Sequence, residues 1–445
     1  MNKNAGNNRV VKPVASLVMV MILTLSLTVT AFAAARVTLN VAMEAGRMAD
    51  AAKSVVPEFE KLHPDIKVNV VPLPYTTMQQ KVMTELTAKS GAYDIIESHF
   101  LMNVPFVAGD LLLPLDKFIK ESNVDFGDFV KSMADQTTLA GKASKINPKG
   151  SIYGLPYNSD VMMFIYRVDL YKKYGLGVPK DWRQAVNNIL KINGSEKGVY
   201  GFVFSGARTD NSHAIFDFYN IALNLGGTLP INDEYSPRMN TPGNLEALKI
   251  LYELVNKYKA TPPGVEEYRY AEKNTAIAQG RAAHMTQWML SCVKSLEDPS
   301  ESRVSGKIGY AAMPGGKAIS GGWTVSIVGT TKHPKEAFEF IKFLTNKKNN
   351  LKLALEFGNG PVRKSVILDP EFKKAYPFAQ ALLEGLEGGV NIFAAAPDVA
   401  VWPELTDIVN FALTDGIFGR LSPQDALVQA DKKLKDALHQ AGYVK

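Results

Sequence analysis

Val37-Thr38-Leu39-Asn40-Val41-Ala42, then Ala52, Val55, Val56, Phe59 and Leu62, then Ile66, Val68 and Val70, is the run of residues that decides the fold. The first six alternate apolar and polar, the period of a half-buried strand. The next five recur at helical spacing, and Pro64 follows as a stop. The last three alternate again. A second helical pattern covers 78–88, and 93–96 reads as a buried strand. Strand–helix–strand in this order predicts an α/β chain with a largely parallel sheet covered by helices on both faces.

The rhythm continues. Residues 151–156, 162–166 and 198–204 read as strands, and 245–258 and 274–283 as helices. Residues 324–328 form a short apolar strand, and Pro334 then opens a helix carrying Ala337, Phe338, Ile341 and Leu344, proline being favoured at that position. A last helix starts at Ser422-Pro423-Gln424-Asp425, with Ser422 as its cap. It presents Leu427, Ala430, Leu434 and Leu438 on one face, and Gly442 suits its end. No internal repeat, low-complexity tract or long linker interrupts the pattern.

The chain opens as an export signal would. Lys3, Arg9 and Lys12 precede an apolar stretch over 14–32, and Ala31-Phe32-Ala33 has the small-x-small form of a cleavage site. A signal peptide over 1–33 is expected, cut near Ala33 and Ala34. The alternative is an uncleaved anchor, since 14–32 nearly reaches membrane-spanning length. The cleavage site favours removal. Cys292 is the one cysteine, so neither an internal disulfide nor a lipid anchor beside the cleavage site is expected. The leader's three cations make up half of the formal net charge of +6. What remains is too weak and dispersed for nucleic acid.

Enzyme chemistry finds little support. The six histidines (His63, His99, His213, His284, His333 and His439) form neither H-E-x-x-H nor a close His/Cys pair, so no metal site is expected. There is no G-x-S-x-G elbow, no phosphate loop and no G-x-G-x-x-G after a strand, and no cofactor is expected. Carboxylates are plentiful, which leaves a glycosidase pair open.

Several segments stand in a telling order: Phe59-Glu60-Lys61-Leu62-His63-Pro64-Asp65-Ile66, Tyr93-Asp94-Ile95-Ile96, Ile152-Tyr153-Gly154-Leu155-Pro156-Tyr157-Asn158 with Phe164-Ile165-Tyr166-Arg167, and Gln279-Gly280-Arg281-Ala282-Ala283. Gly321-Gly322-Trp323 with Val325-Ser326-Ile327, and Gly360-Pro361-Val362-Arg363, complete the set. Together they resemble the extracellular solute-binding family 1, the type II periplasmic binding proteins that include the maltose receptors. Each is weak alone; the ordered set spans nearly the whole exported chain. The resemblance implies two α/β lobes joined by hinge crossings near 157–160, 311–315 and 360–363, with a ligand cleft between them. One lobe would comprise 36–157 and 315–360, the other 158–314 and 361–445. It further implies a monomeric receptor that carries a carbohydrate to the permease subunits of an ABC importer.

A sugar presents an apolar C–H face and a rim of hydroxyls, so its site needs aromatic faces beside polar groups. Trp323, after Gly321 and Gly322, matches the family position that stacks on sugar; the competing reading is a core tryptophan. Trp288 matches another aromatic position, with stacking and packing both open. Trp182 reads as a loop or helix-start residue and Trp402 as a packing residue. Glu44 and Arg47 follow the first strand, and Ser98 and His99 follow the 93–96 strand, at the carboxyl ends where open α/β sheets place ligands. Asp217, between aromatics, would need a partner if buried, and a ligand hydroxyl could supply one. Tyr157 and Asn158 are cleft or hinge residues. Arg363 either bonds ligand hydroxyls or ties the lobes together. Glu97-Ser98-His99-Phe100 lacks the tryptophan found here in maltose receptors, which argues against maltose specificity and leaves a smaller sugar, another oligosaccharide or a polyol. The remaining alternatives are a receptor for a polyamine or ion and a secreted glycoside hydrolase.

Overall fold

A computed structural model describes residues 36–139, 150–208, 213–392, 396, 399 and 401–444. The expected signal peptide lies outside them. Among the described residues no helix is long and apolar enough to cross a membrane.

Strands β1 (Val37–Glu44), β2 (Ile66–Leu73) and β3 (Ile95–His99) are parallel, and the helix Arg47–Leu62 connects the first two. The short β4 (Thr138–Leu139) and β5 (Ser151–Ile152) pair with each other alone. Strands β6 (Leu155–Arg167), β7 (His284–Trp288), β8 (Ile308–Ala311), β9 (Ala318–Ile327) and β10 (Gly389–Val390) complete one eight-stranded sheet. Its main path runs β2-β1-β3-β9-β6-β7, with β8 on β6 and β10 on β9.

The parallel character extends less far than the alternation implies. β9 runs antiparallel to both β3 and β6, and β6 is antiparallel to β7 and β8. The segments 151–156 and 162–166, read separately, fall largely on one 13-residue strand with a register shift between Pro156 and Asn158. Residues 198–204 make only isolated bridges, Tyr200 to Ala282 and Val203 to Met285.

The long strands β6 and β9 pass from one apolar core to another. Leu155 and Tyr157 pack with Leu39, Val41, Phe59 and Phe338, whereas Val161 to Ile165 pack with Phe202, Phe218, Leu251 and Leu413. Likewise Val325 and Ile327 belong to the first core, and Ala318 and Ile319 to the second. On the other face of β1 and β3, Ala42 and Ile96 join Leu73 and Phe106 in a smaller cluster. Strands covered on both faces must be apolar on both, which accounts for the near-continuous run Val161-Met162-Met163-Phe164-Ile165.

Where β6 leaves the first core it is laced to the 359–361 segment. The Asn158 Oδ1 accepts from the Gly360 N–H (2.6 Å), and the Asn359 Nδ2 donates to the Tyr157 carbonyl (3.0 Å). The Ser159 N–H donates to the Gly360 carbonyl (3.1 Å), and its hydroxyl to the Pro361 carbonyl (2.7 Å).

Candidate functional site

The carboxyl ends of β1 and β3 meet in a polar group. β1 ends at Glu44, and Gly46 (φ 89°) turns the chain into the Arg47–Leu62 helix, whose first turn has no side-chain cap. A Cβ at Gly46 would meet nothing, so its backbone angle is what calls for glycine. The Glu44 N–H donates to Oε2 of Glu97 (2.8 Å). Glu97 is 1 % exposed, and its other oxygen has no partner. Burial pushes its carboxyl up to about 8, with the charge of Glu44 adding to the rise. The Glu44 carboxyl is also raised by burial, against the pull of Arg47. The Arg47 guanidinium donates to the Gly358 carbonyl, which tethers it to the 358–360 turn.

Beside this group stands a set of aromatic rings. On β9, Trp323 pairs with His99 of β3 on one side and Asn158 of β6 on the other. The half-buried Trp323 makes edge contacts with His99 (centroids 5.2 Å apart) and with Tyr75 (6.0 Å), which is 41 % exposed. Burial holds the His99 imidazole neutral, pushing it down to about 3. Gly322 has to be small. A Cβ there would lie 2.2 Å from the Met133 Cε and 2.6 Å from the Asn158 carbonyl. Gly321 is buried opposite Asp160.

A second aromatic set comes from three elements on the other core. The helix His213–Ala222 gives Phe216, the helix Tyr270–Ala278 gives Tyr270, and β7 gives Trp288. The Trp288 indole N–H donates to the Tyr270 hydroxyl (3.0 Å), and Phe216 meets Trp288 edge-on at 5.4 Å. Each element also sends a polar side chain inward. Asp217 and Lys273, both with fully buried side chains, form an ion pair (3.1 Å). The Asp217 carboxylate also accepts from the Thr286 hydroxyl and from the Ser205 N–H (3.0 Å). Tyr75 of the first set lies within electrostatic reach of Tyr270 in the second: burial raises the Tyr270 hydroxyl, the Trp288 bond opposes this, and Asp217, Asp160 and Tyr75 raise it further.

The structure thus brings Glu44, Arg47, His99 and Trp323 together, with Gly321 and Gly322 on the same strand as Trp323. Trp288 stands in the second set. The remaining expected residues are occupied within the protein. Asp217 has in Lys273 the partner that a ligand hydroxyl was expected to supply. The Ser98 hydroxyl donates to Asn103 Oδ1 (2.5 Å). The Tyr157 hydroxyl donates to the Met48 carbonyl (2.8 Å). Arg363 donates to the Thr345 carbonyl (2.7 Å), pairs with Asp128 (3.3 Å) and lies over the Phe129 ring. Trp182 is a buried helix-start residue, and Trp402 is buried with its N–H on the Ala396 carbonyl.

Tyr75, Tyr270, Phe216 and Lys273 escape the sequence reading. Tyr75 follows β2 at its carboxyl end, so the strand-end rule that selected Glu44 would have selected it too. Tyr270 and Lys273 are three apart on one helix, a spacing that places them on a common face.

The model of the bacterial extracellular solute-binding protein family matches residues 45–351. The maltose-bound MalE3 of T. maritima is 27% identical, with 90% of this chain and all of that one covered and a TM-score of 0.73. An ABC transporter solute-binding protein of Agrobacterium radiobacter, in complex with ribitol, is 25% identical over 90% of this chain and 98% of its own, with a TM-score of 0.72. The mannitol-binding protein of Pseudomonas aeruginosa is 22% identical, with 87% of this chain and 90% of that protein covered. The chain belongs to the bacterial extracellular solute-binding protein family.

Proposed function

We propose that the chain captures a neutral carbohydrate, a sugar or a polyol, between the Trp323 group and the Trp288 group. As a member of its family it is the binding component of an ABC importer, a receptor and not an enzyme. The observation that carries the carbohydrate reading is the pair of neighbouring aromatic sets, Tyr75–His99–Trp323 and Phe216–Tyr270–Trp288, with the Glu44–Glu97–Arg47 group beside the first. Rings cover C–H faces, and the polar group answers hydroxyls. The ligands bound to T. maritima MalE3 and to the Agrobacterium protein are of this kind.

In this reading the two cores belong to two lobes, 36–157 with 315–360 and 158–314 with 361–445. The way β6 and β9 pass between cores supports such a division, with the β9 crossing falling near Ser320–Trp323. Lobe closure would bring the two aromatic sets onto one ligand, and the laced 157–159 and 359–361 segments are where the bending would be absorbed. The receptor is exported by cleavage near Ala33, carries no lipid, and acts as a monomer that docks on permease subunits.

Isothermal titration of the exported chain with ribitol, D-mannitol and maltose tests this. Saturable binding to at least one, weakened by Trp323→Ala, is expected, with the sugar recovered chemically unchanged. Binding of an amine such as spermidine in place of all three would overturn the carbohydrate reading.

A further inference from the structure

We propose that Glu97 is a specificity-determining residue, whose Oε1 donates a hydrogen bond to an oxygen of the bound neutral solute. This rests on the carbohydrate reading and goes beyond it by naming the atom and the direction of the bond. Oε2 already accepts the Glu44 N–H at 2.8 Å, while Oε1 is buried without a partner. Among the described residues Glu97 is the one acid with a buried oxygen in that condition. An ionised carboxyl left this way would have half its charge unanswered in a dry site, at heavy cost. A neutral carboxylic acid fits better: the carbonyl oxygen takes the Glu44 N–H and the other oxygen carries the proton.

The surroundings hold the group in that form. Its carboxyl is pushed up to about 8. Glu44 and Arg47 face it from β1 and the helix that follows, Tyr157 from β6, and His99 lies two residues on in β3. Tyr157 is raised well above its ordinary value and His99 is pushed down to about 3, so neither changes charge near neutral pH. Burial raises Glu44 as well, but Glu97 is the carboxyl pushed up to about 8. Its O–H then lacks only an acceptor, and a sugar hydroxyl or ring oxygen is one. A cationic amine is not, because it offers donors alone.

Since the bound form requires the proton, affinity for a neutral solute is full below about pH 8 and falls above it, by up to about tenfold per pH unit. A cation would behave oppositely, binding better as Glu97 ionises. The experiment is calorimetric titration of the exported chain and its Glu97→Gln and Glu97→Leu variants with ribitol, D-mannitol and maltose, at about pH 6 and about pH 9. Wild type is expected to weaken at the higher pH. Glu97→Gln keeps an N–H donor at this position, so it should bind within about threefold of wild type at the lower pH and lose the pH dependence. Glu97→Leu should bind about tenfold to a hundredfold more weakly while melting as a folded protein. A pH-dependent fall retained in Glu97→Gln, or unchanged affinity in Glu97→Leu, would overturn the inference and leave the carbohydrate reading standing. Failure of wild type to bind any of the three would overturn both.

Discussion

The two aromatic groups have opposite polar backing. Behind Trp288, the charged side chains are answered by the protein itself: Asp217 by Lys273, Thr286 and the Ser205 N–H, in a pocket from which both side chains of the ion pair see no solvent. Beside Trp323, Glu97 keeps one oxygen unanswered and Glu44 carries a carboxyl raised by burial. The first arrangement holds a set of rings rigidly, since Phe216, Tyr270 and Trp288 each sit on an element that also contributes to the buried polar cluster. The second leaves hydrogen-bonding capacity for a solute. A receptor that must grip a ligand's faces and also tell its hydroxyls apart needs both arrangements, in different places.

The largest difference between the two groups lies at the ion pair. Asp217→Leu should destabilise the chain by about 3–5 kcal/mol, because Lys273 is left buried without its partner. Adding Lys273→Met should recover much of that loss, because a matched apolar pair removes the buried charge. Urea unfolding of the single and double variants measures both. Equal losses in the two would show that the pair is not a coupled unit.

Next in size is the pH dependence carried by Glu97. Its folded carboxyl is raised above the ordinary glutamate range, so the folded chain holds a proton that the unfolded chain releases. Stability from this group therefore falls as pH rises from the unfolded value of about 4.3 towards about 8. Glu97→Gln removes the decline and should stabilise the empty receptor at neutral pH by roughly 2–4 kcal/mol. Unfolding midpoints in acid and at neutral pH would reveal it, and a parallel decline in both proteins would contradict it.

Trp323→Ala should weaken carbohydrate binding about a hundredfold, because it removes a face open to the ligand. Trp288→Phe keeps a ring but loses the bond to Tyr270, and should cost about tenfold. Calorimetry with whichever sugar binds wild type decides; a larger effect at Trp288 would reverse the roles given to the two groups.

The smallest effect belongs to Asp128, paired with Arg363 and hydrogen-bonded to Ser365. Despite its partial burial, these bonds lower its carboxyl below the ordinary range. Its contribution is present above the usual aspartate value and is lost as pH falls through the lowered one. Asp128→Asn keeps a hydrogen-bond acceptor and should cost about 1 kcal/mol at neutral pH, and less in acid, in the same unfolding assay.

Local pattern carried far in this chain where one element decides the outcome. The 3.6-residue spacing of Ala52, Val55 and Phe59 and the alternation of Ile66, Val68 and Val70 predict elements that the fold contains, and Ser422 caps its helix as expected. What stayed hidden depends on long-range pairing. Nothing in 162–166 tells that it continues the 151–156 stretch as one strand, or that β9 runs against both its neighbours, because strand direction is set by partners distant in the chain. The site divides the same way. Trp323 and Glu44 could be named from strand ends and a glycine pair. Asp217 looked available because Lys273, its partner, lies 56 residues further along.

The most direct test is thermal unfolding of the exported chain against a panel of sugars, polyols, amines, amino acids and ions. A true ligand at about a hundred times its dissociation constant adds about 2.7 kcal/mol of apparent stability. A clear upward shift is expected with one class of sugar or polyol, and most of it should be lost in Trp323→Ala. A shift with an amine or an ion, and none with any carbohydrate, would contradict it.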